Sequence, residues 1–218
     1  METIASGFEA AAPHALAAWL AELQAKLFSL PEHLDEAWHP LIVERWPFLA
    51  QVIDGTAQGR LLGVLLLQDS RGAPPAQRLS LPEVRLALQD RAAIQRSLCA
   101  LALARRPGVL RCCIDREARG SLRDALGELF DPLARLGLRG RPVSAEVAVW
   151  SPLHWACMGY MDWLELLVGD DRLFRRIVRL SLPPQLLAMP KRRRQARAEF
   201  APAQAVQALK DMEVAWPC

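Results

Sequence analysis

Five cysteines and four histidines are the side chains here with metal-binding or nucleophilic chemistry, and spacing decides whether they use it. His154 and Cys157 lie three apart, which on a helix supplies half of a tetrahedral metal site. No second pair is placed to complete it. Cys112 and Cys113 are adjacent, unlike the spaced pairs of zinc sites. Small buried thiols and a partly buried histidine account for all of them without chemistry. No cysteine is flanked by the residues of a known Cys/His nucleophile family. A helical enzyme built on such a site would carry one hyper-reactive thiol among Cys99, Cys112, Cys113, Cys157 and Cys218. No phosphate-cradling loop of the Gly-x-x-x-x-Gly-Lys or Gly-x-Gly-x-x-Gly type is present. The adjacent Asp170 and Asp171 sit where either would cap a helix. The expectation is a chain that is not an enzyme and binds no cofactor or metal.

The strongest charge feature is Lys191, Arg192, Arg193 and Arg194, followed by Arg197. Three uses compete for it: a solvated face or tail, a contact with an acidic protein or an anionic membrane face, and nucleic-acid binding. Aromatic residues are not interleaved with these arginines and no recognition fold precedes them, which disfavours nucleic acid. The formal net charge of +3 conceals a polarity. Met1 to Gly59 holds Lys26 and Arg45 against eight acidic residues. Arg172 to Ala198 adds Arg172, Arg175, Arg176 and Arg179 to the basic run and contains no acid. Such asymmetry suits two differently charged partner surfaces, or one half docking on the other.

The elements that must position these residues are helical. Hydrophobic residues make up 52 % of the 218. Leu, Ala and Arg dominate, a usage that favours helix over sheet. The central stretch runs from Ser151 to Pro184. Ser151 and Pro152 start a helix whose apolar face includes Leu153, Ala156, Tyr160, Trp163, Leu164 and Leu167. Gly169 is a left-handed stop. A second helix then runs from Arg172 to about Leu180, with Leu173, Ile177 and Leu180 on one side and the four arginines largely on the other. Ile177 to Leu182 also fits a short strand.

Pro13 to Phe28 reads as an amphipathic helix, and Leu41 to Ile53 as a broken one punctuated by Pro40 and Pro47. Asp54 to Gly59 reads as a loop and Arg60 to Gln68 as a buried helix. Asp69 to Gln77 is polar and rich in Gly and Pro, the best internal linker. Pro82 to Arg106 reads as one long helix whose stripe Arg91 interrupts. Asp115 caps a helix ending at Gly127, and Glu128 to Leu138 continues with a break at Pro132. Val109 to Ile114 fits a short strand or a helical turn, and Val143 to Val149 is ambiguous, alternating like a strand. Pro202 starts a last helix.

Three blocks then resemble the K-subunit family of the bacterial type III secretion sorting platform, the cytosolic accessory protein of the injectisome. The first is Trp38 and Trp46 among prolines. The second is LCALALARRPGVLRCCIDREARGSLRDALG, Leu98 to Gly127. The third is MDWLELL, a short turn and RRIVRLSLP, within Met161 to Pro183. The resemblance implies a non-enzymatic adaptor linking the cytosolic domain of the inner-membrane ring to the pods that carry the ATPase complex. It also implies a cytoplasmic location, peripheral to the inner membrane through the ring. The runner-up is a regulatory nucleic-acid-binding protein using residues 191–197.

The fold expectation is a mainly α, compact multi-helix domain spanning residues 1–218, with at most one or two short strands. An internal loop at 69–77 and a basic segment at 191–198 subdivide it. The longest apolar run, Leu61 to Leu67, falls far short of the ~20 residues that span a bilayer. METIASGFEAAA lacks a basic n-region, so no signal peptide is expected, and an odd cysteine count without disulfide spacing suits a reducing compartment. Candidate partner-contacting residues are Arg172, Arg175, Arg176, Arg179, Lys191, Arg192, Arg193, Arg194 and Arg197.

Overall fold

The helix at the centre, α6 (Arg91–Arg105), has no polar face from Leu98 to Ala104. Leu98, Cys99, Ala100, Leu101, Ala102, Leu103 and Ala104 are all buried in succession. A helix without a polar face must be surrounded, and the rest of the chain surrounds this one. In this computed structural model the described residues are 13–52, 54–72, 74–137, 140–167, 169, 171–188 and 196–212, and they contain helices and turns but no strand.

α11 (Pro152–Leu164) lies along α6 over most of its length. Ser151 caps it by accepting from the His154 amide at 3.4 Å, with Pro152 at the first helical position. Gly159 sits at the crossing, where a Cβ would fall 1.8 Å from the Leu98 carbonyl oxygen. Trp155 and Trp163 are fully buried, and the Trp163 indole N–H donates to the Glu83 carbonyl at 2.7 Å. That bond fixes α5 (Pro82–Arg85). A final helix, α14 (Pro202–Asp211), buries Ala205 and Leu209 on the other side of α6.

Four α-helices build the N-terminal part among the described residues. α1 (Pro13–Phe28) packs on α4 (Gly55–Asp69), and between them lies α2 (Leu30–His33). The contact is close because a Cβ at Gly59 would meet the Phe28 carbonyl oxygen at 1.9 Å. α3 (His39–Arg45) follows, then a 3-10 turn at Pro47–Gln51. This part is bonded to the body at several points. The Asp35 amide donates to the Leu180 carbonyl at 2.8 Å, and the Trp38 indole N–H donates to Leu182 at 2.8 Å. Arg91 reaches the Leu34 carbonyl at 2.9 Å and the Asp35 carboxylate at 2.8 Å. One cluster of buried apolar side chains runs from Leu23 to Leu209.

The remaining helices are α7 (Gly108–Cys112), α8 (Arg116–Leu126), α9 (Phe130–Gly137), α10 (Ala145–Ala148), α12 (Arg172–Leu180) and α13 (Pro184–Leu187). Asp115 caps α8 as expected, accepting from Ala118 at 2.7 Å, and Gly127 ends it with φ +58°. Gly169 takes the expected left-handed turn, with φ +98°.

At three stretches that the sequence left open between strand and helix, helix is found: Val109–Ile114, Val143–Val149 and Ile177–Leu182 fall largely on α7, α10 and α12. None has a strand partner among the described residues, so their backbone groups are satisfied within helical turns instead. Pro82–Arg106 is not one helix. It breaks through a 3-10 turn at Leu86–Leu88, and Asp90 caps α6 anew through the Ala93 amide at 2.7 Å. Arg91 therefore stands at the first position of α6 and reaches back to Asp35, which explains the interrupted stripe. Asp54–Gly59 is mostly helix, because Asp54 caps α4 through the Thr56 amide at 3.0 Å. Pro132 lies in the first turn of α9 and is tolerated there. Asp171 does not cap α12; its carboxylate is taken by Arg78, whose Nε lies 2.9 Å away.

Candidate functional site

α12 presents the basic residues singled out in the sequence. Its apolar side, Leu173, Phe174, Ile177, Val178 and Leu180, is buried, which forces the arginines to the rim. They divide into two groups. Arg176 and Arg179 turn toward α3 and α4. Arg176 Nη1 lies 3.4 Å from Asp69 Oδ2 and 3.4 Å from Ser70 Oγ. The Arg179 guanidinium stacks on Trp38, 5.4 Å from the ring centroid. Arg175 turns the other way, donating to the Gly169 carbonyl at 3.4 Å. Its own carbonyl accepts from the Tyr160 hydroxyl at 3.3 Å. Arg172 stands half-buried at the first position of the helix. Arg197 is exposed and follows the buried Ala196, away from helical structure. Lys191, Arg192, Arg193 and Arg194 lie outside the described residues.

Between α3, α4 and α12 lies a groove of about 310 Å3. Ile42, Leu62, Leu66 and Leu180 form its floor, and Trp38 and Trp46 stand in its walls. The rim carries three guanidinium groups, of Arg45, Arg176 and Arg179, against the single carboxylate of Asp69. Asp69 holds two of them, with Arg45 Nη2 at 2.5 Å. Arg45 also stacks over Trp46 at 4.9 Å. The Trp38 ring is fixed from both ends, by its indole bond to Leu182 and by Arg179. The rim arginines are thus held in place before any partner arrives. Their positions remain accessible: the Arg45 side chain is 60 % exposed and Arg176 35 %.

Sequence reading missed a second charged cluster. Arg105 and Arg106 end α6 and meet Asp162 of α11, which is completely buried. Arg105 Nη1 and Arg106 Nη1 each lie 2.5 Å from an Asp162 oxygen, and Glu165 adds a contact to Arg105 at 3.2 Å. The same guanidinium groups hold the chain beyond the basic run. Arg106 Nε donates to the Ala196 carbonyl at 2.7 Å and Arg105 Nε to Phe200 at 2.9 Å. Arg105 Nε and Nη1 and all three Arg106 guanidinium nitrogens face acceptors, so the cluster is a structural clamp. The one hint in the sequence was a charged residue, Asp162, inside an otherwise apolar helix.

Burial governs three of the cysteines, and Cys218 lies outside the described residues. Burial pushes the Cys99 thiol up to about 12. Burial, helped by the negative charge of Asp35, does the same to Cys157. Burial also raises Cys113, against the pull of Arg119. A thiol held protonated is a poor nucleophile and a poor metal ligand. His154 directs Nδ1 to Ser151 Oγ at 2.7 Å. Among the described residues no three His, Cys, Asp or Glu side chains gather into a metal-binding group. Among the same residues no helix is long and apolar enough to cross a membrane. No protein-family model, curated protein or solved structure matches the chain.

Proposed function

We propose that this protein is a non-enzymatic adaptor of a bacterial type III secretion sorting platform. In this reading it links the cytosolic domain of the inner-membrane ring to the pod and ATPase assembly, and so supports effector export. It works in the cytoplasm, peripheral to the inner membrane through the ring. The observation that carries the reading is the α12 face. The block from Met161 to Pro183, which bears the resemblance, is also the block that sets two arginines, Arg176 and Arg179, at the edge of a groove. Raised thiols at Cys99, Cys113 and Cys157 weaken the competing Cys/His enzyme. An adaptor needs distinct charged faces, because complementary charge fixes orientation and speeds encounter.

The test is a pull-down from lysate of the native bacterium at moderate salt, with wild type beside the triple variant Arg192→Ala, Arg193→Ala, Arg194→Ala. Recovery of a ring component or a pod protein is expected. Its loss in the variant assigns the 191–197 segment to that contact. Recovery of nuclease-sensitive nucleic acid alone overturns the adaptor reading in favour of a nucleic-acid-binding protein.

A further inference from the structure

We infer that the groove between α3, α4 and α12 docks an acidic amphipathic helix of a partner protein. The inference rests on the adaptor reading only in supposing a protein partner, and names the chemistry that partner must present.

Floor and rim ask for different things from an occupant. The floor of Ile42, Leu62, Leu66 and Leu180 is aliphatic and offers no hydrogen-bonding group from its side chains. Leu41 at its lip is 43 % exposed, a large apolar side chain left in water. A space of about 310 Å3 takes roughly two or three apolar side chains, the number one face of a short docked helix supplies at three- and four-residue spacing. The rim is cationic, with three guanidinium groups against one carboxylate. An occupant with apolar anchors alone would fill the floor and leave that excess charge unanswered. One whose anchors are flanked by Glu or Asp satisfies both, and the fork of each guanidinium matches a carboxylate.

Nucleic acid would also answer the charge, but the groove is poorly made for it. Single-stranded binding relies on aromatic faces open to bases. Here Trp38 is covered by Arg179 and Trp46 by Arg45, and both rings pack against the core. The floor that remains is aliphatic.

The arginines are also preorganised, which lowers the entropic cost of docking. Asp69 holds Arg45 and Arg176, and Trp38 holds Arg179.

The test is selection from a phage-displayed library of random peptides on the full-length protein, followed by fluorescence polarisation with the most enriched peptide. Enriched peptides are expected to carry Glu or Asp flanking Leu, Phe or Trp at helical spacing. Leu41→Glu and, separately, Arg179→Ala are each expected to weaken binding roughly tenfold or more. A copy of the peptide with Gln and Asn for its acids should weaken similarly. Thermal melts establish that each variant is folded, and Leu41→Gln replaces either one that is not. Four outcomes overturn the inference: no peptide enriched over panning on the Leu41→Glu protein, enriched peptides that are neutral or basic, equal binding by groove variants and wild type, or a single-stranded oligonucleotide displacing the peptide. The groove and the injectisome reading fail separately. Acidic peptides without a ring or pod partner in the pull-down keep the groove alone. Ring or pod components recovered in the pull-down, with no acidic peptide enriched on the wild-type protein, keep the adaptor alone.

Discussion

Gly159 of α11 lies directly against the Leu98 carbonyl of α6, so close that a β-carbon there would fall 1.8 Å from the oxygen. The neighbour is main chain inside a buried helix and cannot swing aside. Gly159→Ala must therefore push the two central helices apart. The expected loss is about 3 kcal/mol, at the upper end for overpacking. Gly120, inside α8, is the control, because nothing lies within 4 Å of a Cβ built on it. Gly120→Ala should stabilise by about 0.5–1 kcal/mol through helix propensity. Urea denaturation of the two variants checks the opposite signs; a Gly159→Ala protein as stable as wild type would show that the helices do not meet in this way.

Asp162 is a buried carboxylate between two arginines that are themselves nearly buried. Asp162→Asn removes the carboxylate that Arg106 pairs with and leaves Arg105 only the half-exposed Glu165. Breaking one side of a buried ion pair costs about 3–5 kcal/mol. Because Arg105 and Arg106 also hold the carbonyls of Phe200 and Ala196, hydrogen exchange in 196–200 should rise in the variant. Loss of global stability with unchanged exchange there would separate the ion cluster from the clamp.

Lys26 is buried and donates its ammonium to the Gln89 carbonyl. Burial lowers its pKa from 10.5 to about 8, against the raising effect of Asp90. The unfolded chain therefore holds the proton over a range where the folded chain has released it. Stability contributed by this group rises with pH between about 8 and 10.5. Cys99 and Cys157 oppose it at higher pH. Their folded values near 12, against 9 for a free thiol, let the unfolded state ionise first, so their contribution falls above about pH 9. The Lys26 rise is thus clearest from pH 7 to 9. Chemical denaturation across that interval should show a positive slope in wild type that Lys26→Met flattens. A variant that keeps the slope would assign it to another group.

Thiol reactivity should follow burial. Cys112 is partly exposed, whereas Cys99 and Cys157 are buried with strongly raised pKa values. Maleimide labelling of the native protein, mapped by mass spectrometry, should reach Cys112 well before those two. Rapid labelling of Cys99 or Cys157 at neutral pH would revive the Cys/His enzyme.

Local features were legible in the sequence because local rules produce them. Pro13–Phe28 is helical over the expected residues, Ser151 and Pro152 start α11, and Gly169 turns the chain before α12. The arginine side of α12 followed from helical periodicity alone. Short apolar runs were not decidable in the same way. Val143 to Val149 alternates like a strand, but a strand needs a partner, and that is not a property of the segment itself.

The sequence by itself determined a mainly helical chain, the charge polarity and the row of arginines from Arg172 to Arg179. Each depends on composition or on neighbours within a few residues. Only the tertiary structure decided what those arginines meet. Asp69 is held by Arg45 and Arg176, and Trp38 by Arg179 and Leu182, across more than a hundred residues of chain in the longer cases. No periodicity encodes such pairings. They arise because α4 and α12 bury apolar faces in the same core and Ile42 of α3 packs against it, which brings their polar edges together around one groove.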